Sequence, residues 1–196
     1  MPRTKRTAAE TVAPSEGALT KLDDAPEVVD LGTGEVKSHS QMAVIAIDPG
    51  DVHCGMAEGI TTSAGQFVCT RAWELTPDEC ADYVAGWLLS GELEALVIEK
   101  FNLYADKAEA QVGSDFPTVQ LIGVLKYLVR VANAEAERTG RYRAKIAMYG
   151  ADTKKSMRAQ LNARGIKLLP AQADHARDAQ LHLWHYAGAE KMGWGQ

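Results

Sequence analysis

Large apolar residues are sparse through residue 41 and then arrive in short, sharply bounded runs. Residues 42–48 are apolar and rich in β-branched side chains until they end in Asp48-Pro49-Gly50. That pattern predicts a buried strand followed by a turn. Residues 54–60 and 66–74 are short alternating segments joined at Thr62-Ser63-Ala64-Gly65. With the first run they predict an antiparallel meander.

A helical period follows. Thr76-Pro77-Asp78-Glu79 combines an N-cap, a proline at the first helical position and acids in the first turn. Apolar residues at 80, 84, 87 and 88 continue it until Gly91, and residues 94–99 read as a further buried strand. Residues 100–116 read as a loop. A long helix is expected from Pro117 to about Thr139, with Val119, Ile122, Leu125, Leu128, Val129 and Ala132 in one stripe, widened by Leu121 and Val124. So broad a face suggests contact with the sheet on one side and a second subunit on the other. Arg143–Met148 predicts a fifth strand. Asp152 is expected to cap a basic helix over about 153–164, and a last helix should run from about 174 to 191. The order of elements predicts an α/β fold with a mixed sheet.

Composition adjusts this picture in three ways. A chain of 196 residues with 46% hydrophobic residues can bury a core as one domain, expected over residues 42–196. The preceding segment, 1–41, has the composition of a disordered tail, with at most a small hairpin at residues 28–36. Arg3, Lys5 and Arg6 give its start a basic character without the apolar stretch of a secretory signal. No apolar run approaches the roughly 20 residues that span a bilayer. A cytoplasmic protein without membrane contact is therefore expected. Cys54, Cys69 and Cys80 form no CxxC pair, which argues against a disulfide framework or zinc ribbon and for small buried side chains.

The net charge of −5 is unevenly distributed. From Arg141 to Lys167 eight basic residues face the single acid Asp152, so the remainder of the chain carries −12. A basic face on an acidic body suits phosphate binding beside a carboxylate site, although a solvated helix surface would look the same.

Two apolar runs end in a carboxylate, Asp48 and Glu99. Such a charge at the end of a buried strand needs a partner. Alone, each has a local explanation: Asp48 capping the Pro49-Gly50 turn, and Glu99 pairing with Lys100. His175 and Asp178, at i and i+3, add two ligand-type side chains on one face of the terminal helix. Asp174 is placed to cap that helix or to support its ligands. His182 and Tyr186 continue the same face and are expected to pack beneath it; Trp184 and His185 face elsewhere.

Ile45-Ala46-Ile47-Asp48-Pro49-Gly50, then Val97-Ile98-Glu99, then His175-Ala176-Arg177-Asp178-Ala179 resembles the RuvC family of Holliday junction resolvases, most closely its bacteriophage variant. The resemblance covers about residues 42–190. It implies a ribonuclease H-like fold: a five-stranded mixed sheet, three antiparallel strands then two parallel ones, flanked by helices. It also implies a structure-selective endodeoxyribonuclease acting as a homodimer on four-way or other branched DNA. Asp48, Glu99, His175 and Asp178 would be its catalytic residues and ligands for two Mg²⁺ ions per active site, with Mn²⁺ a substitute. A ligand set of this type supports two-metal phosphodiester hydrolysis. Phe101 or Tyr104 would stand for the aromatic residue the family places after the strand glutamate, and Lys154, Lys155 and Arg158 would contact phosphates. The family's basic segment before the terminal helix is shortened here, so activity on other branched DNA is also expected. Other readings of these residues are a ribonuclease H-like nuclease acting on RNA–DNA hybrids or flaps, and a non-catalytic DNA-binding protein.

Overall fold

The computed structural model describes residues 42–101, 116–171 and 173–191. The expected tail over residues 1–41, its hairpin, Tyr104 and most of the 100–116 loop lie outside the described residues. The elements in chain order are β1 (Ala43–Asp48), β2 (Cys54–Thr61), β3 (Phe67–Leu75), α1 (Pro77–Ser90), β4 (Leu93–Glu99), α2 (Pro117–Thr139), β5 (Lys145–Tyr149), α3 (Thr153–Ala163) and α4 (Asp174–Tyr186). A single π-helical turn, Ala187–Lys191, extends α4.

The strands form one sheet in the order β3-β2-β1-β4-β5. β1, β2 and β3 pair antiparallel, while β4 runs parallel to β1 and β5 parallel to β4. This is the five-stranded mixed sheet that the resemblance implies, three antiparallel strands and then two parallel ones. Central β1 is buried along its whole length, which explains its almost uninterrupted apolar sequence.

Strand alternation divides the core into two layers. Ile45, Ile47, Met56, Leu96 and Ile98 face α1 and α2, where Val84, Leu121, Leu125 and Val129 meet them. On the other side Val44, Ala46, Ala57, Ala95 and Val97 face Met157 and Leu161 of α3 and Ala179, Leu181 and Leu183 of α4. Several of these contacts are alanines, and small side chains allow α4 to lie close across the strands.

Helix starts are built largely as expected, with two corrections. Thr76 and Glu79 form a reciprocal capping box at the head of α1. Asp152 precedes α3 but makes no side-chain cap bond; the hydroxyl of Thr153 donates to the Gly150 carbonyl instead, at 2.8 Å. Asp174 is the first residue of α4 rather than its cap. Its exposed carboxylate accepts from the Arg177 guanidinium at 2.8 Å. β5 begins at Lys145, two residues later than the apolar pattern suggests, because the Ala144 carbonyl accepts from the Asn133 side chain.

The stripe on α2 is also narrower than expected. Leu121, Ile122, Leu125 and Val129 are buried, whereas Val119 and Val124 are exposed. Cys54 and Cys80 are buried, Cys69 is half-buried, and all three are free thiols. Among the described residues no helix is long and apolar enough to cross a membrane.

Candidate functional site

Parity along two neighbouring strands brings the first two acids together. Asp48 shares the face of Val44 and Ala46, and Glu99 that of Ala95 and Val97, so both point to the α4 side. The parallel register pairs Ile47 with Ile98, which sets Asp48 and Glu99 side by side at the carboxyl edge of β1 and β4. α4 then crosses this face and supplies His175, Asp178 and His182, three side chains at one helical phase.

Their contacts are direct. His175 Nδ1 lies 2.7 Å from Asp48 Oδ2. The ammonium of Lys154, at the second position of α3, donates to Asp178 Oδ2 at 2.7 Å and to Glu99 Oε2 at 3.0 Å. Arg158, one turn further along α3, reaches Asp178 Oδ1 at 3.8 Å. His182 Nε2 is 2.9 Å from Glu99 Oε2. Neither strand acid serves the local purpose its neighbours offer: Asp48 faces His175 rather than closing the Pro49-Gly50 turn, and Glu99 pairs with Lys154 rather than Lys100.

The electrostatics follow from burial and crowding. Asp48 is only 7% exposed. Burial, then the hydrogen bond and negative charge of Glu99, push its carboxyl up to about 7, against the opposing pull of His175 and Lys154. Burial also acts to raise Glu99, but hydrogen bonds to His182, Asp48 and Lys154 bring it down to about 2. The two carboxyls thus form one unit that keeps a proton towards neutrality. His175 is held above its ordinary value by its hydrogen bond to Asp48, with burial working against it. Burial would lower Lys154, yet its bonds to Asp178 and Glu99 raise it, so it stays a cation.

A hard divalent cation fits this donor set. A buried carboxyl pair that retains a proton is short of positive charge, and the Lys154 ammonium is the cation standing between Glu99 and Asp178. A histidine that turns one ring nitrogen to a carboxylate presents the other outward, the usual posture of a ligating imidazole. Among the described residues no three His, Cys, Asp or Glu side chains close on one point as they stand.

The remaining candidates fall around this centre. Lys155 and Arg158 are exposed on α3 and line a shallow cleft with Lys154 and Asp178. Phe101 is 38% exposed and stacks edge-on against Phe116 at 6.0 Å. Three contributors were not assigned to the site from sequence. His182 packs beneath it, fully buried as expected, and in addition bonds Glu99. Gly55 stands opposite Asp48 in the β1–β2 register. Asp51, in the loop after β1, accepts from the Thr118 hydroxyl at 2.6 Å and its backbone N–H at 3.3 Å. That contact caps α2 from outside and ties the Asp48 loop to it. Spacing of seven residues from His175 was the one signal that pointed to His182.

No family model matches this chain, and no curated protein sequence does. Its backbone is similar to solved structures. Thermus thermophilus RuvC aligns at 19% identity over 78% of this chain and 97% of its own, with a TM-score of 0.49. The yeast mitochondrial Holliday junction resolvase aligns at 11% identity over 79% and 78%, with a TM-score of 0.45. The fowlpox virus Holliday junction resolvase aligns at 9% identity over 78% and 99%, also with a TM-score of 0.45. Likeness at this level concerns the path of the backbone and assigns no side-chain role.

Proposed function

We propose that this chain is a divalent-metal-dependent endonuclease that hydrolyses phosphodiesters of branched DNA, with the four-way junction as its substrate. The observation that supports this most directly is the pair of strand-end carboxylates Asp48 and Glu99, side by side at the edge of β1 and β4, faced by Asp178 and His175 and bordered by the cationic helix α3. Asp48, Glu99, His175 and Asp178 are the residues that would hold two Mg²⁺ ions, or Mn²⁺ in their place. When bound, such ions polarise the phosphate and lower the pKa of an attacking water.

The chain's own side chains supply the rest. His175 is half-exposed and keeps Nδ1 on Asp48, which leaves Nε2 to act as a ligand or a proton carrier. Lys154 can exchange its two carboxylates for a phosphate oxygen, and Lys155 and Arg158 on the same helix bring further positive charge to the strand. Phe101 is exposed enough to stack on a base beside the site.

A four-way junction requires opposed cuts in two strands, so a homodimer carrying two sites suits it. The surface that would form it lies across α1 and α2. There Leu89 is 81% exposed, Tyr127 57% and Val131 48%, around a groove of about 510 Å³ that Leu88, Leu128 and Tyr142 also line. Apolar exposure of this kind, gathered on one side of a molecule, marks an association surface.

The deciding experiment incubates a labelled four-way junction with Mg²⁺ and the protein or its Asp48→Asn variant, beside forks, flaps and an RNA–DNA hybrid. Paired nicks in the junction are expected, reduced by about 100-fold or more in the variant. Cutting that survives Asp48→Asn unchanged would end the proposal. Preferential cutting of the hybrid would keep the chemistry and change the substrate.

A further inference from the structure

Two turns below His175, the imidazole of His182 is completely buried, between Leu181 and Leu183 in sequence and with no exposed surface of its own. A polar ring sealed into a core is costly unless its nitrogens are satisfied. Nε2 is, 2.9 Å from Glu99 Oε2, while Nδ1 lies 3.5 Å from the hydroxyl oxygen of Thr153, whose proton goes to the Gly150 carbonyl. That hydroxyl belongs to the first residue of α3, and the next residue, Lys154, places its ammonium 3.0 Å from the same Glu99 oxygen. One carboxylate oxygen therefore receives two donors, one from α4 and one from α3.

We propose that His182 is a positioning residue for the acidic centre: its Nε2–H pins Glu99 Oε2 and so dedicates the other oxygen of Glu99 to a bound cation. This rests on reading the centre as a divalent-cation site. The physical argument is one of lone pairs. A carboxylate oxygen offers two; in the metal-free chain His182 and Lys154 occupy both on Oε2, and His182 still holds one when Lys154 leaves. Rotation of the carboxyl would break a hydrogen bond inside the core, where no water replaces it. Lys154 is partly exposed and can leave, whereas His182 cannot. The imidazole is thus the permanent half of the clamp and the ammonium the exchangeable half. Partners of this sort behind a metal ligand are typically worth about 10–100-fold in affinity.

Leucine and glutamine separate positioning from packing. His182→Leu retains an apolar filling and loses the N–H, while His182→Gln retains a donor at similar reach. Calorimetric titration of the full chain with Mn²⁺ should show His182→Leu weakened about 10–100-fold and His182→Gln recovering most of that loss. The Asp48→Asn variant, run alongside, should take up little or none. A His182→Leu protein that binds Mn²⁺ like the wild type overturns the proposal, and so does an equal loss in both variants. A wild-type chain that takes up no Mn²⁺ overturns the cation centre itself along with this role. Imidazole ¹⁵N shifts of the metal-free wild type provide a measurement that needs no folded variant: the Nε2–H tautomer is expected, and the Nδ1–H tautomer would remove the clamp.

Discussion

A side chain at Gly55 would collide with the backbone of His175: a Cβ there would lie 1.9 Å from the His175 carbonyl oxygen and 2.0 Å from its carbonyl carbon. Gly55 stands opposite Asp48 in the β1–β2 register, so this close approach is what lets the head of α4 bring His175 to Asp48. The atoms that would be struck are main chain and cannot rotate away.

Gly55→Ala should therefore lift the start of α4 from the sheet. The expected result is a destabilisation of about 1–3 kcal/mol together with a loss of Mn²⁺ affinity larger than that stability change alone would cause. Thermal melting and calorimetry on the same sample test it. Wild-type metal affinity in Gly55→Ala would show that the contact is not needed to set His175.

Lys154 is the internal counter-ion of Glu99 and Asp178, with bonds of 3.0 and 2.7 Å. Lys154→Met leaves two carboxylates facing each other without it, so the metal-free protein should lose on the order of 2 kcal/mol. Mn²⁺ should then raise the melting temperature of the variant by more than it raises that of the wild type, because no ammonium has to be displaced. An equal or smaller rise would mean that Lys154 does not compete with the cation.

Stability of the metal-free protein should depend on pH through Asp48. Burial and Glu99 hold its carboxyl up to about 7, so between about pH 4 and 7 the folded chain keeps a proton that the unfolded chain has released. This contribution is fully present below pH 4 and is lost as pH rises through 7. His175, also raised, adds in the same direction. Glu99, brought down to about 2, works oppositely: its contribution is present above about 4.5 and is lost as pH falls towards 2. Denaturant unfolding across pH 4–8 should show decreasing stability with rising pH in the wild type and a flatter profile in Asp48→Asn. Parallel profiles would contradict the shared proton.

The apolar faces of α1 and α2 should hold two copies together. Leu89→Glu combined with Val131→Glu places charge on exposed positions, so each copy should fold normally while the dimer dissociates. Sedimentation velocity reads the mass, and junction cutting should change from paired nicks to single ones. A wild-type chain that sediments as a monomer at micromolar concentration would remove this surface from the proposal.

Much of the architecture was legible in the residue pattern because the signals are local. The uninterrupted apolar character of 43–47 marks a strand buried on both faces, and Thr76-Pro77-Asp78-Glu79 writes a helix start in four residues. Ends set by remote partners were less legible. β5 starts at Lys145, just after Asn133 on α2 takes the Ala144 carbonyl; Asp152 does not cap because its backbone is already helical, and Asp174 lies inside α4 with its carboxylate on Arg177.

The same division runs through the site. Alternation along β1 and β4 already sends Asp48 and Glu99 to one face, and the helical period already groups His175, Asp178 and His182. These are consequences of bond geometry and are carried by the chain wherever it goes. What partners each of them takes is not local. Lys154 reads as a surface cation at the head of a basic helix, yet packing of α3 against α4 turns it inward onto Glu99 and Asp178. His182 reads as core filling, yet the depth at which α4 crosses the sheet brings its Nε2 to Glu99. That depth is set by Ala46, Ala57 and Ala179 at the contact and by the missing side chain at Gly55. Distances between elements far apart in sequence arise only when the layers pack, and they turn a set of acids on one face into a centre with defined charge.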